Sequence, residues 1–304
     1  MRRSGWLAIL FVVVGVGVIV ASTMAYRGRQ AEARAEARRV RVAAMRSTPG
    51  PPVAADVMAR RQALLAELHP VTLANCELAR VGRDTDGGYL MCRNLIGALE
   101  TAYSYGVGTE DAWACQMSRT YKVPVHQYDC FSPVRVRCWG GDLRLNAECV
   151  GPKAETIEGR PFDTIAHQIA KNADTGRRMI VKIDIEGAEW QTVLGTPDDV
   201  LAGIDQLPME LHAGDDPAVL DALQKLKKHF HLVSVHFNNQ GCTNAASPLP
   251  SWAFQVLFVN KRLGVAGPPP SGSPTAASLL APDDPSLPDC QLPSLVPTVP
   301  PTRR

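Results

Sequence analysis

What most constrains this chain is a rhythm of short apolar runs and amphipathic stretches between residues 102 and 259. Residues 102–105 read as a strand ending at Gly106, 110–121 as a helix, and 123–128 as a second strand closed by Asp129. A helix is expected over 161–172. The β-branched run 179–185 (MIVKIDI) reads as a buried strand, and a helix follows it over 188–194. Another strand falls at 206–211. Residues 217–229 then place Val219, Leu220, Leu223, Leu226 and Phe230 on one helical face. The last two strands, 231–237 and 253–259, have no helix between them. Parallel neighbours need long crossovers, and helices supply them, so this order predicts an α/β fold. The expected architecture is Rossmann-like: a mostly parallel, doubly wound sheet with an antiparallel hairpin at one edge.

The net charge of +2 hides a partition. Residues 1–69 carry eleven Arg against four acids, whereas 70–263 carry nineteen Lys and Arg against twenty-three acids. An acidic central domain gives no electrostatic case for nucleic acid, and none is expected as a partner. The run 6–26 is apolar or small throughout, and its twenty-one residues make a helix of roughly 30 Å, enough to cross a bilayer. It exceeds the apolar stretch of a cleaved signal, so a single-pass N-terminal membrane anchor at 1–26 is expected. Orientation stays open. The basic residues after the span favour a cytoplasmic domain, while a short anchor before a long domain favours translocation. Residues 27–69 read as a basic helical stalk and linker broken at Pro49-Gly50-Pro51-Pro52. The domain proper is expected over 70–263. Residues 264–304, with eleven of the chain's 24 prolines, read as a disordered tail.

In a doubly wound sheet, ligands bind beyond the carboxyl ends of the strands, so the residues there carry the functional reading. They are Gly106 and Gly108, Asp129, Asp184 and Glu186, Glu210 and His212, and His236 with Asn238. Gly106-x-Gly108 after the first strand suits a nucleotide loop, and Asp129, some twenty residues on, suits the ribose hydroxyls. Dinucleotide and S-adenosylmethionine sites share this layout. A pyrophosphate needs bare backbone N–H groups at a helix start, but Glu110 and Asp111 stand there and would repel it. S-adenosylmethionine carries a sulfonium and an ammonium instead. The cofactor expected is therefore S-adenosyl-L-methionine, bound by Gly106, Gly108, Glu110, Asp111 and Asp129. An NAD(P)-dependent oxidoreductase and a non-catalytic binding module are the alternatives.

Lys182-Ile183-Asp184-Ile185-Glu186-Gly187-Ala188-Glu189-Trp190 runs off a buried strand into a helix and puts Lys182, Asp184 and Glu186 on one side. It closely resembles the K-[IV]-D-[IV]-E-G-x-E motif of the FkbM-type methyltransferases. Asp86-Gly87-Gly88-Tyr89, Tyr103 to Gly108 and Met209-Glu210-Leu211-His212 look like one branch of that family, and the resemblance covers about residues 76–260. It implies a class I methyltransferase fold and transfer to oxygen. One departure matters: the acid many such enzymes carry near the end of the first strand is replaced by Ser104 or Tyr105, leaving Glu110 or Asp111 to meet the methionyl amine. The acceptor is expected to be a hydroxyl of a small molecule, sugar or glycan. Asp184 or Glu186 would bind the acceptor or the cofactor's amine, and His212 or His236 would act as base. A divalent metal held by Asp184, Glu186 and Glu210 is the other route to an activated hydroxyl. The eight cysteines form no C-x-x-C, which argues against structural zinc. They suit disulfides in a lumenal or secreted domain and buried thiols in a cytosolic one.

Overall fold

The computed structural model describes residues 50, 52–212, 215–270 and 272–290, with scattered helical positions between 32 and 44. The anchor expected at 6–26 lies outside the described residues, and among those described no helix is long and apolar enough to cross a membrane. The chain divides into Met1–Thr48 and Pro49–Arg304. In the first unit the described residues are helical, with Glu36 and Arg39 paired one turn apart.

The second unit is a mixed α/β domain around a seven-stranded sheet. It opens with α1 (Ala55–Glu67) and a hairpin of β1 (Leu78–Gly82) and β2 (Gly88–Cys92). The alternating part follows: β3 (Thr101–Tyr105), α2 (Ala112–Tyr121), β4 (Pro124–Tyr128) and β5 (Asp142–Asn146). A small sheet of β6 (Cys149–Val150), β7 (Glu155–Ile157) and β8 (Arg160–Asp163) precedes α3 (Ile165–Lys171). After it come β9 (Met179–Ile183), α4 (Glu189–Gly195), α5 (Asp198–Gly203) and β10 (Ile204–His212). The domain closes with α6 (Val219–His229), β11 (Phe230–Phe237), β12 (Ala253–Asn260) and α7 (Ala276–Leu279).

The main sheet runs β11-β12-β10-β9-β3-β4-β5. Only β12 is reversed, antiparallel to β10 on one side and β11 on the other. The expected hairpin is therefore present, but its second strand lies one place in from the edge. Seven of the eight β12 residues are buried, so this strand needs a neighbour on each side. On one face of the sheet, α1, α3, α4, α5 and α6 build an apolar core around Trp190, Phe230, Phe254 and Phe258. α6 contributes Val219, Ala222, Leu223 and Leu226, the i, i+3, i+4, i+7 stripe of a half-buried helix. The β1–β2 hairpin and α2 cover the other face through Tyr89, Met91, Trp113 and Met117.

Three expectations need correction. The helix expected over 161–172 begins later, because Thr164 accepts the His167 amide as its cap while Arg160–Asp163 pairs as strand with β6 and β7. The stalk expected over 27–69 ends early, because α1 belongs to the domain. The buried Arg61 makes a bidentate pair with Asp215 at 2.8 and 3.0 Å and lies over the Trp252 ring. The disordered tail expected over 264–304 is ordered as far as it is described. Residues 283–290 dock on the domain, with Asp283, Leu287 and Cys290 buried, and the Asn239 amide donates to the carbonyls of Asp284 and Leu287. Its prolines hid a covalent tether, Cys242–Cys290. The other cysteines pair as 76–92, 115–138 and 130–149, so none is free.

Candidate functional site

A cavity of about 700 Å³ opens at the carboxyl ends of β3, β4 and β9, where a doubly wound sheet binds its ligands. Gly106, Gly108, Glu110, Asp111, Asp129, Asp184 and Glu186 line it, whereas Glu210, His212 and His236 do not.

The glycine loop is held from three sides. Gly106 has φ +76°, and its N–H donates to the Tyr128 carbonyl at 3.0 Å. The buried Lys182 ammonium donates to the Gly106 carbonyl at 2.6 Å. Asp129 holds the third side: Oδ2 accepts the amides of Val107 (3.1 Å) and Gly108 (2.9 Å). Its Oδ1 accepts those of Phe131 (2.8 Å) and Ser132 (2.7 Å). Two carboxylate oxygens offer about four acceptor positions, and these four amides fill them. Asp129 therefore shapes the loop, and a ribose hydroxyl would have to displace one of the amides. Burial works against its charge, but the four N–H donors outweigh burial and hold the carboxyl below its usual 3.8.

That shift has a sign. A carboxyl with a depressed folded pKa stabilises fully above its unfolded value and loses the contribution as pH falls through the folded one. Asp129→Asn should destabilise at pH 6, by roughly 1.5–3 kcal/mol for lost charged hydrogen bonds. The gap from wild type in urea unfolding should narrow below about pH 4. A gap independent of pH would remove the carboxylate from this role.

The helix expected over 110–121 starts at Ala112, so its two acids stand before the first turn and have different roles. Asp111 caps α2, with Oδ1 accepting the Ala114 amide and Oδ2 accepting from Gln127, both within 2.9 Å. Glu110 is exposed and pairs with Arg83 at 2.5 Å. Across the cavity, Asp184 accepts from the Tyr89 hydroxyl at 3.0 Å and lies 3.3 Å from Lys182. Burial pushes the Tyr89 phenol up, so it stays a donor. Glu186 has φ +55°, an uncommon conformation outside glycine, and with Gly187 it turns the chain from β9 into α4.

His212 sits behind this turn. Its Nδ1 lies 3.0 Å from the fully buried Glu189, and Nε2 is 3.5 Å from Glu186. Burial alone would lower its pKa, but the Glu189 carboxylate outweighs that and pushes it up to about 9. At neutral pH His212 is an imidazolium, which does not suit the base role expected of it. His236 is buried 3.3 Å from Asp283, away from the cavity wall. Burial, then the nearby Asp184, push Glu210 up to about 8; its carboxyl accepts from Asn238 at 2.7 Å.

The metal set expected from the sequence is not the one brought together. Asp184, Glu186 and His212 place one ligand atom each within 4.8 Å of one another, while Glu210 turns toward Asn238 and Gln255. Sequence reasoning also missed three residues that hold the site, and Asp283, which faces His236 away from the cavity. Tyr89 stood in the quoted Asp86-Gly87-Gly88-Tyr89, and Lys182 and Glu189 in the nine-residue motif, so those had a signal. Asp283, in a proline-rich segment, had none.

No protein-family model matches the chain, and no curated protein matches it closely enough to compare.

Proposed function

We propose that this domain is an S-adenosylmethionine-dependent methyltransferase of class I that methylates a hydroxyl on a small molecule, sugar or glycan. The charge of the cavity carries the reading. Asp86, Glu110, Asp111, Asp129, Asp184 and Glu186 line it against only Arg83 and Lys182. Arg83 is paired to Glu110, and Lys182 is engaged by the Gly106 carbonyl. Such a wall suits a sulfonium and an ammonium and repels a pyrophosphate. The Trp113 indole N–H, buried on the same wall without a partner, is a donor left for a ligand to satisfy. The sheet agrees: an all-parallel dinucleotide order 3-2-1-4-5-6 has no reversed strand, whereas β12 is inserted before the sixth.

The methyl donor supplies a carbon activated by its sulfonium, and the acceptor oxygen bonds to that carbon as the carbon–sulfur bond breaks. The chain's own work is to orient the acceptor and take its proton. Asp184, steadied by Tyr89 and Lys182, and Glu186, beside His212, are the carboxylates placed for this. A divalent cation at Asp184, Glu186 and His212, displacing the proton from His212 Nε2, would lower the hydroxyl's pKa instead. Four disulfides suit an oxidising compartment, and an anchor at 6–26, as expected from the sequence, would then hold the domain on the lumenal or extracellular side.

Thermal denaturation with each candidate ligand tests the cofactor. At a hundredfold excess over Kd, stabilisation is about 2.7 kcal/mol, or roughly 5–10 °C for a domain of this size. S-adenosylmethionine and S-adenosylhomocysteine should produce it and NAD should not; the reverse result favours the oxidoreductase. Asp184→Asn with Glu186→Gln should keep donor binding and lose turnover by at least a hundredfold, the scale of a positioned acid–base group. Retained turnover would take the chemistry away from these carboxylates.

A further inference from the structure

The loop between β4 and β5 is unlike the rest of the surface. Phe131, Val134 and Trp139 are 68%, 53% and 88% exposed, which is half of the large apolar side chains exposed among the described residues. Arg135 and Arg137 lie between them, also exposed, and residues 130–141 contain no acid. In a domain with an excess of acids, this is a local basic and aromatic patch.

Two disulfides fix it in place. Cys130–Cys149 ties its start to β6, and Cys115–Cys138 ties its far end to α2. The two bonds fix where the loop starts and where it ends, and its three apolar side chains stand exposed between and beside them. The Arg160 guanidinium lies 4.5 Å over the Phe131 ring and braces it from the neighbouring β8. Phe131 and Ser132 are also part of the cavity wall. The start of the loop therefore borders the cavity, so a chain lying along the loop can extend into it.

We propose that this loop is the acceptor platform and that the acceptor is an acidic saccharide, bearing carboxylate or sulfate groups. Aromatic faces stack on the C–H faces of sugar rings, and guanidinium groups pair with carboxylate or sulfate oxygens in a planar, two-pronged geometry. An anionic chain is repelled by the rest of the acidic domain, the cavity included, and meets positive charge here, so its charged groups stay on the loop and only an uncharged hydroxyl-bearing part enters the cavity. A bilayer fits less well. The surface touching Phe131 must also deliver a hydroxyl into the cavity, which an extended sugar chain does and a lipid interface does not. The chemical role assigned to the platform rests on the methyltransferase reading; binding at the loop does not.

The test separates the two. Binding of a uronate-bearing octasaccharide, a heparin-derived octasaccharide and a neutral dextran oligosaccharide to the full chain is measured by calorimetry without any methyl donor. Vesicles of phosphatidylcholine with phosphatidylserine are run in parallel. The acidic oligosaccharides should bind and the dextran should not, with affinity falling as salt rises. Arg135→Ala with Arg137→Ala, and separately Trp139→Ala, should each weaken binding at least tenfold, while Trp139→Phe retains most of it. All are exposed positions, and a melting temperature within a degree of wild type checks that each variant is folded. Octasaccharide affinity unchanged in the variants overturns the proposal. So does binding of vesicles but not saccharide, which makes the loop a membrane contact, or loop-dependent self-association. If S-adenosylmethionine gives no thermal shift while saccharide binding follows the loop, the methyltransferase reading fails and the platform stands.

Discussion

Reduction of the four disulfides is expected to unfold the domain near physiological temperature. They close loops of 16, 23, 19 and 48 residues. Loops of these lengths restrict the unfolded chain by about 3–4 kcal/mol each. The loops of Cys115–Cys138 and Cys130–Cys149 overlap, so their contributions do not simply add. Half of the combined effect still rivals the roughly 5–15 kcal/mol by which a whole domain is stable. Single bonds should differ in what they release. Cys242→Ser with Cys290→Ser frees the segment that delivers Asp283 to His236, so it should lower the melting temperature and expose that pair while the main sheet persists. Cys76→Ser with Cys92→Ser loosens β2, whose Cys92 backbone exchanges two hydrogen bonds with the Gln206 side chain of β10. Near-ultraviolet circular dichroism during thermal melts, with and without dithiothreitol, reads both effects. An unchanged melting temperature in the reductant would sink the prediction. It would also remove the main support for an oxidising compartment.

What could be read in advance follows the range of the interactions involved. Val219, Leu223 and Leu226 of the α6 stripe and the buried run of β9 are written in spacings of three, four and two residues and appear where expected, whereas Phe230 already belongs to β11 and Ala222 joins the stripe. The placement of β12 between β10 and β11 is not, because strand order depends on which strands bury both faces, and that is settled between residues fifty apart. The site divides the same way. Gly106, Gly108, Asp129, Asp184 and Glu186 end strands, so the alternation alone points to them, and all five line the cavity. Their states were not legible. Asp129 is occupied by four amides from two turns, and His212 is held protonated by Glu189, a residue twenty-three positions away. Composition misled where a covalent bond overrode it. A segment rich in proline and serine has too little apolar surface to order itself, yet Cys290 holds it against Asn238 and Asn239.

The two loop glycines should respond very differently to the same methyl group. A Cβ on Gly106 would lie 1.6 Å from the Asp184 carbonyl oxygen, which is backbone and cannot swing aside. The loop there is wedged between strand ends: Asp184 N donates to the Tyr105 carbonyl, and Gly106 N to the Tyr128 carbonyl. Making room means parting β3 from β9 or β4 and withdrawing the carbonyl that Lys182 binds, which leaves a buried ammonium short of a partner. Gly106→Ala should therefore cost about 4 kcal/mol or more, in the range where a single change is diagnostic. Donor binding should disappear with it. Gly108 also has a positive φ, +59°, but a Cβ there meets nothing within 4 Å. Gly108→Ala carries only the conformational penalty, about 1–2 kcal/mol, and its donor affinity should stay within severalfold of wild type. Urea unfolding and ligand-dependent melting on the pair give the comparison directly. Similar small losses at both positions would mean that Gly106 does not pack against Asp184. The loop would then be free to move, and the cavity built on it would lose its floor.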